Sequence, residues 1–161
     1  GPNRFDIILQ KQIPYVMSLG ALDMVNFGAV ETVPERFRDR KLHVHNANVT
    51  LMRTTAEENR QFAAWIADKI NQSTAPVTLL IPEKGVSAID AEGQPFHDHE
   101  ADAALFAELE RRVEQTPMRQ IRRLPLHINE PQFSAALVTE FQRLWQAQSG
   151  ARQIAISRRI F

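Results

Sequence analysis

The residues of this chain that could do chemistry lie mainly in four short segments, each in or after a run predicted to be a strand. The segments are Gly20–Gly28, His45–Thr55, Glu83–Asp90 and His127–Pro131. They carry Asp, Asn, His, Arg, Lys and Thr side chains, which bind anions, transfer protons or coordinate metals. Ligands of open α/β sheets bind in the crevice beyond the carboxyl ends of the strands. We therefore expect these segments to meet at one site.

An anion site is predicted where Arg53 precedes Thr54 and Thr55. A helix is predicted to start there, and unpaired backbone N–H groups together with the helix dipole favour a negative charge at such a start. A phosphate or a carboxylate is the expected ligand. The alternative is that Thr55 is only a helix cap and that Arg53 pairs with Glu57 or Glu58.

A second candidate for phosphate binding is the run that holds Lys84, Gly85 and Ser87. Glycine lets a ligand approach the backbone closely. The run matches neither GxxxxGKS/T nor GxGxxG, so a plain strand-to-helix turn is the alternative. The full set of predicted ligand-binding residues is Gly20, Asp23, Asn26, Gly28, His45, Asn46, Arg53, Thr54, Thr55, Lys84, Gly85, Ser87 and Asn129.

Asp23, His45 and His127 are the candidates for general acid–base catalysis, because a carboxylate orients an imidazole and sets its tautomer. Their spacing does not show that they meet. His43 and His45 share one face of a predicted strand and could ligate a metal together with Asp23 and His127. Hydrogen-bonded histidines at strand ends are the preferred interpretation. We predict no metal site. No serine stands in a GxSxG motif, which disfavours a covalent serine mechanism.

Composition excludes several classes of protein. The 161 residues contain 19 Lys and Arg against 19 Asp and Glu and no cysteine. A formal net charge of zero argues against nucleic-acid or anionic-membrane partners. Without cysteine there is no disulfide framework and no thiolate metal site. No apolar run approaches the length of a membrane span, and no signal-peptide pattern is present, so we expect a cytoplasmic protein.

The elements that must position these residues are short apolar strands alternating with amphipathic helices. Strands are predicted at Ile13–Leu19, Leu42–His45, Val77–Ile81 and Gln120–Ile128. The third is rich in apolar and β-branched residues, which is typical of a strand buried on both faces of a parallel sheet. The fourth contains Pro125, which cannot donate to a ladder and so indicates an edge strand.

Capping residues predict where the helices start. Thr55 with Glu58 three residues later forms the pattern of a capping box. Asp98 or His99 is expected to cap the next helix, and Asn129 the last one. The two histidines that flank Asp98 are expected to be solvated loop residues.

This alternation predicts an α/β fold: a three-layer, Rossmann-like, open and mainly parallel sheet of about four to five strands with crossover helices. Residues 1–148 are predicted to form one domain, and residues 149–161 a tail that is flexible or adds as an edge strand. Phe5, Ile8 and Leu9 have helical spacing, so the chain is expected to begin partway through a helix. We therefore expect it to be part of a longer protein.

Five runs of the sequence resemble the C-terminal domain of the tomato mosaic virus resistance protein family, the Tm-one-like ATP-binding proteins. The runs are GALDMVNFG (Gly20–Gly28), HNANVTLMRTT (His45–Thr55), GVSAID (Gly85–Asp90), FHDHEADAALF (Phe96–Phe106) and HINEPQF (His127–Phe133). They occur in the order found in the family, and the resemblance extends from about Gly1 to Gln146.

The resemblance implies two Rossmann-like domains in tandem, with ATP binding associated with the N-terminal one. Bacterial members are largely uncharacterised; plant members carry an additional TIM-barrel domain and can bind a viral replication helicase. This chain is then the second domain, its partner is the N-terminal α/β domain, and ATP and Mg²⁺ belong to the full-length protein. The leading hypothesis is a domain that completes a binding cleft for a nucleotide or another small anionic phosphometabolite. The alternatives are an enzyme domain with an Asp/His acid–base pair, and a dimerisation or protein-docking module.

Overall fold

The computed structural model describes the backbone of residues 3–157 and the side chains of residues 3–148. The helices are α1 (Asp6–Lys11), α2 (Ala56–Asn71), α3 (His99–Arg112) and α4 (Pro131–Ser157). The strands are β1 (Tyr15–Met17), β2 (Met24–Phe27), β3 (Leu42–Asn46), β4 (Val49–Arg53), β5 (Val77–Pro82) and β6 (Arg119–Leu124). Two short 3-10 helices, Val30–Thr32 and Glu35–Phe37, follow β2.

The six strands form two separate sheets. One is parallel, in the order β1-β5-β6, and the other is antiparallel, in the order β2-β4-β3. The predicted α/β class is confirmed, but the parallel sheet has three strands rather than the four to five expected. The difference arises at β3, because only two residues separate Asn46 from Val49. A connection that short joins antiparallel strands, whereas a parallel pair needs a crossover.

The parallel sheet is the middle layer of three. All six residues of β5 are buried, as predicted for a strand covered on both faces. Val77, Leu79 and Ile81 pack into the core formed with α2 and α3. On the other face, the hydroxyl of Thr78 donates to Glu140 of α4 at 2.7 Å. The site at the end of β5 is therefore built on a strand that is held from both sides.

The last strand and the last helix differ in detail from the prediction. β6 lies at the edge of its sheet, as expected, but ends at Leu124, before Pro125. α4 begins at Pro131, so Asn129 lies outside it and does not cap it. The helix continues to Ser157, so the predicted flexible tail or edge strand is helical as far as that residue; residues 158–161 lie outside the described part of the chain. No helix in that part combines the length and apolarity that crossing a membrane requires.

The two predicted caps before α2 and α3 are confirmed. The backbone N–H of Glu58 donates to the Thr55 hydroxyl at 3.1 Å, and the Thr55 N–H donates to the Glu58 carboxylate at 2.8 Å. At α3, Asp98 accepts from the N–H of Ala101 at 3.0 Å. Both helix starts are therefore fixed by local sequence.

We predict that Thr55→Ala lowers the free energy of unfolding by about 0.5–2 kcal/mol, because it removes the acceptor of the capping box. Urea denaturation followed by circular dichroism measures the change. The matched control is Thr74→Ala, at an exposed loop position, which should leave the stability near that of the wild type. Equal losses in both variants would contradict the role of the cap.

Candidate ligand-binding crevice

A crevice of about 560 Å³ lies beyond the carboxyl ends of β5 and β6. Its wall contains Lys84 and Gly85 after β5, His127 after β6, and Asp102 and Phe106 of α3. The structure thus brings the predicted segments 83–90 and 127–131 together at the edge where ligands of parallel sheets bind.

His97 and His99 also line this crevice, although the sequence predicts them only as solvated loop residues. Both side chains are exposed, and they flank the Asp98 cap of α3. The predicted cap at Asp98 is the feature of the sequence that could have indicated the position of both histidines. A helix that starts at the carboxyl edge of a parallel sheet brings the residues around its cap into the crevice.

Behind the crevice lies a buried ionic group, here called the Arg53 cluster, which consists of Asp23, Arg53, Asp90 and Asp102. The Arg53 guanidinium lies 2.7 Å from Asp102 Oδ1 and 3.6 Å from Asp90 Oδ1. It also donates from Nε to the carbonyl oxygen of Phe96 at 2.8 Å. Its side chain is 3% exposed. Arg53 therefore pairs inside the protein with Asp102 and Asp90, and with neither Glu57 nor Glu58.

Two carboxylates of the cluster are fully buried and only partly hydrogen-bonded. Asp23 and Asp90 are 0% exposed. Asp23 accepts from the Ser87 hydroxyl at 2.7 Å, and Asp90 accepts from the N–H of Val86 at 2.9 Å. The Oδ1 atom of each has no hydrogen-bond partner among the described residues. Asp90 and Asp102 are not among the predicted site residues, since both lie far along the chain from Arg53.

This environment changes the protonation of both groups. Burial raises the pKa of Asp23, against the opposing effects of the Ser87 hydroxyl and the Arg53 charge. Burial also raises the pKa of Asp90 to about 7, and the negative charges of Asp102 and Asp23 act in the same direction. The N–H of Val86 and the Arg53 charge oppose that rise. Asp90 is therefore partly protonated near neutral pH.

The loop of residues 83–98, which joins β5 to α3, closes over this cluster. Gly85 has φ 125°, and a Cβ there would lie 1.7 Å from the carbonyl oxygen of Asp90. Only glycine fits a backbone approach this close. The close contact of Gly85 is thus with Asp90 of the same loop, and this contact explains why the position requires glycine.

His127 completes the anchoring of this loop. Its Nδ1 accepts from the backbone N–H of Asn129 at 3.1 Å, so the proton lies on Nε2, which donates to the carbonyl oxygen of Ser87 at 2.8 Å. Both ring nitrogens are engaged. Asp23 bonds Ser87 rather than either candidate histidine, so the structure does not assemble the expected acid–base pair.

The segment His45–Thr55 does not converge on one place. His45 and Asn46 are exposed at the turn of the β3–β4 hairpin, whereas Arg53 lies at its opposite end, ~13 Å along the strand. Asn26 is exposed on β2. Gly28 follows β2, where its carbonyl oxygen accepts from Thr50 at 2.9 Å.

Arg53, Thr54 and Thr55, the predicted anion site, line a smaller side pocket of about 310 Å³ together with Arg40, Lys41 and the first turn of α3. Gly20 is exposed, and a Cβ there would lie 3.3 Å from the Ile128 side chain. Within the described residues, no three His, Asp or Glu side chains are placed to hold a metal ion together.

Comparisons with known proteins match this chain to one domain of longer proteins. Residues 1–145 match the sequence model described as the C-terminal domain of the uncharacterised protein family UPF0261. The ToMV resistance protein Tm-1 of Solanum lycopersicum is 52% identical over 139 residues, which cover 86% of this chain and 18% of that protein. A UPF0261 protein of Rhizobium meliloti (strain 1021) is 55% identical over 140 residues, which cover 87% of this chain and 35% of that protein. The resemblance noted in the sequence is thereby confirmed, for a chain that spans 18% and 35% of the lengths of these two relatives.

We predict that Arg53→Met lowers the free energy of unfolding by about 3–5 kcal/mol, because it leaves buried carboxylates without their counter-charge. The control is Arg60→Met on the exposed face of α2, whose pair with Glu57 is solvated. The free energy of unfolding of that variant should stay near that of the wild type. Urea denaturation of both variants at neutral pH makes the comparison. An Arg53 variant as stable as the Arg60 variant would show that the cluster contributes little to folding.

Proposed function

The chain belongs to the UPF0261 family as a C-terminal domain, and on that premise we propose that its crevice binds a nucleotide or a phosphorylated metabolite. In the longer protein, an N-terminal α/β domain completes the cleft, with ATP and Mg²⁺ as the first ligand to test. The relatives named above are longer than this chain, which fits such a second domain.

The observation that carries this proposal is the chemistry of the crevice wall. Lys84, His97 and His99 are exposed at the crevice, where they can pair with phosphate oxygens. Glu83 and Asp102 line the same space and can accept hydrogen bonds from the hydroxyl groups of a sugar. The volume of about 560 Å³ lies within the usual range for small-molecule sites.

Lys84 is the cation best placed to recognise phosphate in this crevice. Arg123, the other permanent cation on the wall, is already held by Glu110 at 2.7 Å and lies 3.6 Å from Glu83. Within the described residues, Lys84 has no carboxylate within ion-pair distance. Mg²⁺ is usually held by substrate phosphates and only one or two carboxylates, so ATP can bring the metal with it.

Isothermal titration calorimetry of this chain with ATP and Mg²⁺ tests the proposal. We expect Lys84→Ala to weaken binding about ten-fold or more, since a hydrogen bond to a charged group contributes about 1.5–3 kcal/mol. Lys11→Ala, on the exposed end of α1, is the matched control and should bind like the wild type.

A third variant locates the phosphate. The side pocket contains the Thr54–Thr55 site expected from the sequence, and Lys41→Ala removes its one cation that forms no ion pair within the described residues, since Arg40 pairs with Glu58 and Arg53 with Asp102. Loss of affinity in Lys41→Ala with none in Lys84→Ala would move the site from the crevice to the side pocket. Absence of binding at millimolar ATP would overturn nucleotide binding by this domain.

A second candidate function is assembly into a dimer, and an apolar stripe on α4 favours it. Val138, Phe141 and Trp145 are 57%, 43% and 51% exposed on one side of that helix. Side chains at such spacing form one helix face, and exposed apolar faces of this kind mark interaction sites.

If α4 pairs with a second copy of the chain, Phe141→Glu will convert a dimer into a monomer, because it places a charge within the apolar interface. Size-exclusion chromatography with light scattering measures the mass. Gln142→Glu, at the next exposed position of α4, is the control and should not change it. A wild-type chain that remains monomeric at millimolar concentration would contradict the dimer.

A further inference from the structure

The Arg53 cluster bonds the loop of residues 83–98 near both of its ends, in addition to the contact of His127 with Ser87. Arg53 donates to the carbonyl oxygens of Phe96 at 2.8 Å and Asp98 at 3.4 Å, near the end of the loop. Asp23 accepts from Ser87 near its start, and Asp90 bonds Val86 within it. The loop also forms one wall of the crevice. Changes in the charge of the cluster therefore act directly on that wall.

The cluster has more negative than positive groups. Three carboxylates from three parts of the chain face one guanidinium: Asp23 before β2, Asp90 in the loop, and Asp102 on α3. With all four groups ionised, a formal charge of −2 would be buried. An uncompensated buried charge is costly, so such a group takes up a proton instead. The partnerless Oδ1 atoms of Asp23 and Asp90 are positions where that proton can reside.

We propose that the Arg53 cluster holds a proton while the 83–98 loop is closed, and that loss of this proton at rising pH loosens the loop. The cluster then works as a pH-sensitive latch on the wall of the crevice. The control of ligand access by this latch rests on the proposed function. The binding of the proton and its effect on the order of the loop are independent of that function.

The direction of the effect follows from linkage. Burial raises the pKa of Asp90 to about 7 in the closed state, whereas an exposed Asp titrates near its ordinary value of 3.8. The stability that protonated Asp90 gives to the closed loop is complete below that ordinary value and is lost as the pH rises through about 7. Between these limits, the equilibrium constant for opening increases about ten-fold per pH unit, and above about pH 7 it levels off.

Hydrogen exchange measured by NMR without ligand tests the latch. The reporters are the N–H groups of Asp90, which donates to Ser87 at 3.1 Å, and Phe96, which donates to Ile89 at 2.8 Å. We expect their protection factors to fall about ten-fold per unit between about pH 5 and pH 7. The amide of Leu79 in β5 reports global opening and should keep a higher protection factor.

Asp90→Asn supplies the matched test, because an amide keeps the acceptor for Val86 and carries a donor as the protonated carboxyl does. The protection factors of the loop should then lose their pH dependence. Asp68→Asn, an exposed position on α2, should retain the behaviour of the wild type.

Three outcomes overturn the latch: wild-type loop protection that does not change with pH, an Asp90→Asn variant with the full wild-type dependence, or a Leu79 amide whose protection factor is no higher than those of the loop. If Asp90→Asn does not fold, the pH dependence of the wild-type loop and its protection relative to Leu79 decide. Since no ligand is present, failure to bind ATP leaves this result intact and counts only against the proposed function.

Discussion

The buried contact between Arg53 and Asp102 is the interaction on which the crevice depends. Arg53 is the last residue of β4 in the antiparallel sheet, and Asp102 lies in the first turn of α3, which packs on the parallel sheet. Their 2.7 Å contact therefore joins the two sheets through one ion pair. The same guanidinium holds the end of the loop that follows β5. One side chain thus fixes three parts of the chain around the crevice.

Such a contact positions groups more than it stabilises the fold. Removing two charges from water costs several kcal/mol each, and the attraction of the pair repays this only with good geometry and further hydrogen bonds. Arg53 has these bonds, through Phe96 and Thr54. The carboxylates of Asp23 and Asp90 are less well satisfied. The cluster therefore combines a strongly placed cation with acids whose charge is sensitive to pH.

The internal use of charged groups is also a reason to propose the phosphate contact in the crevice. At the start of α2, the carboxylate of Glu58 already accepts from the backbone of Thr55 and from Arg40. A carboxylate of the protein itself thus satisfies the first backbone N–H group at that helix start. Lys84, by contrast, lies exposed at the mouth of the crevice. This difference moves the expected contact with phosphate from the helix start to the end of β5.

The features that sequence predicts well are those encoded by neighbouring residues. The burial of β5, the capping box of Thr55 and the Asp98 cap each depend on a few adjacent positions. The partner of Arg53 could not be found in this way, because it lies 49 residues away. The grouping of His45 with Arg53 fails for another reason: apolar periodicity does not distinguish a hairpin strand from a strand of a parallel sheet.

An NMR titration of the ¹⁵N-labelled chain with ATP and Mg²⁺ shows directly whether the proposed ligand binds in the crevice. We predict saturable shifts at the amides of Gly85, Ala103 and His127, which line the crevice. The amides of α4 near Phe141 should not move. A ligand site in the crevice would be contradicted by shifts confined to α4, by shifts confined to Thr55 and Ala56 in the side pocket, or by no shifts at millimolar ATP.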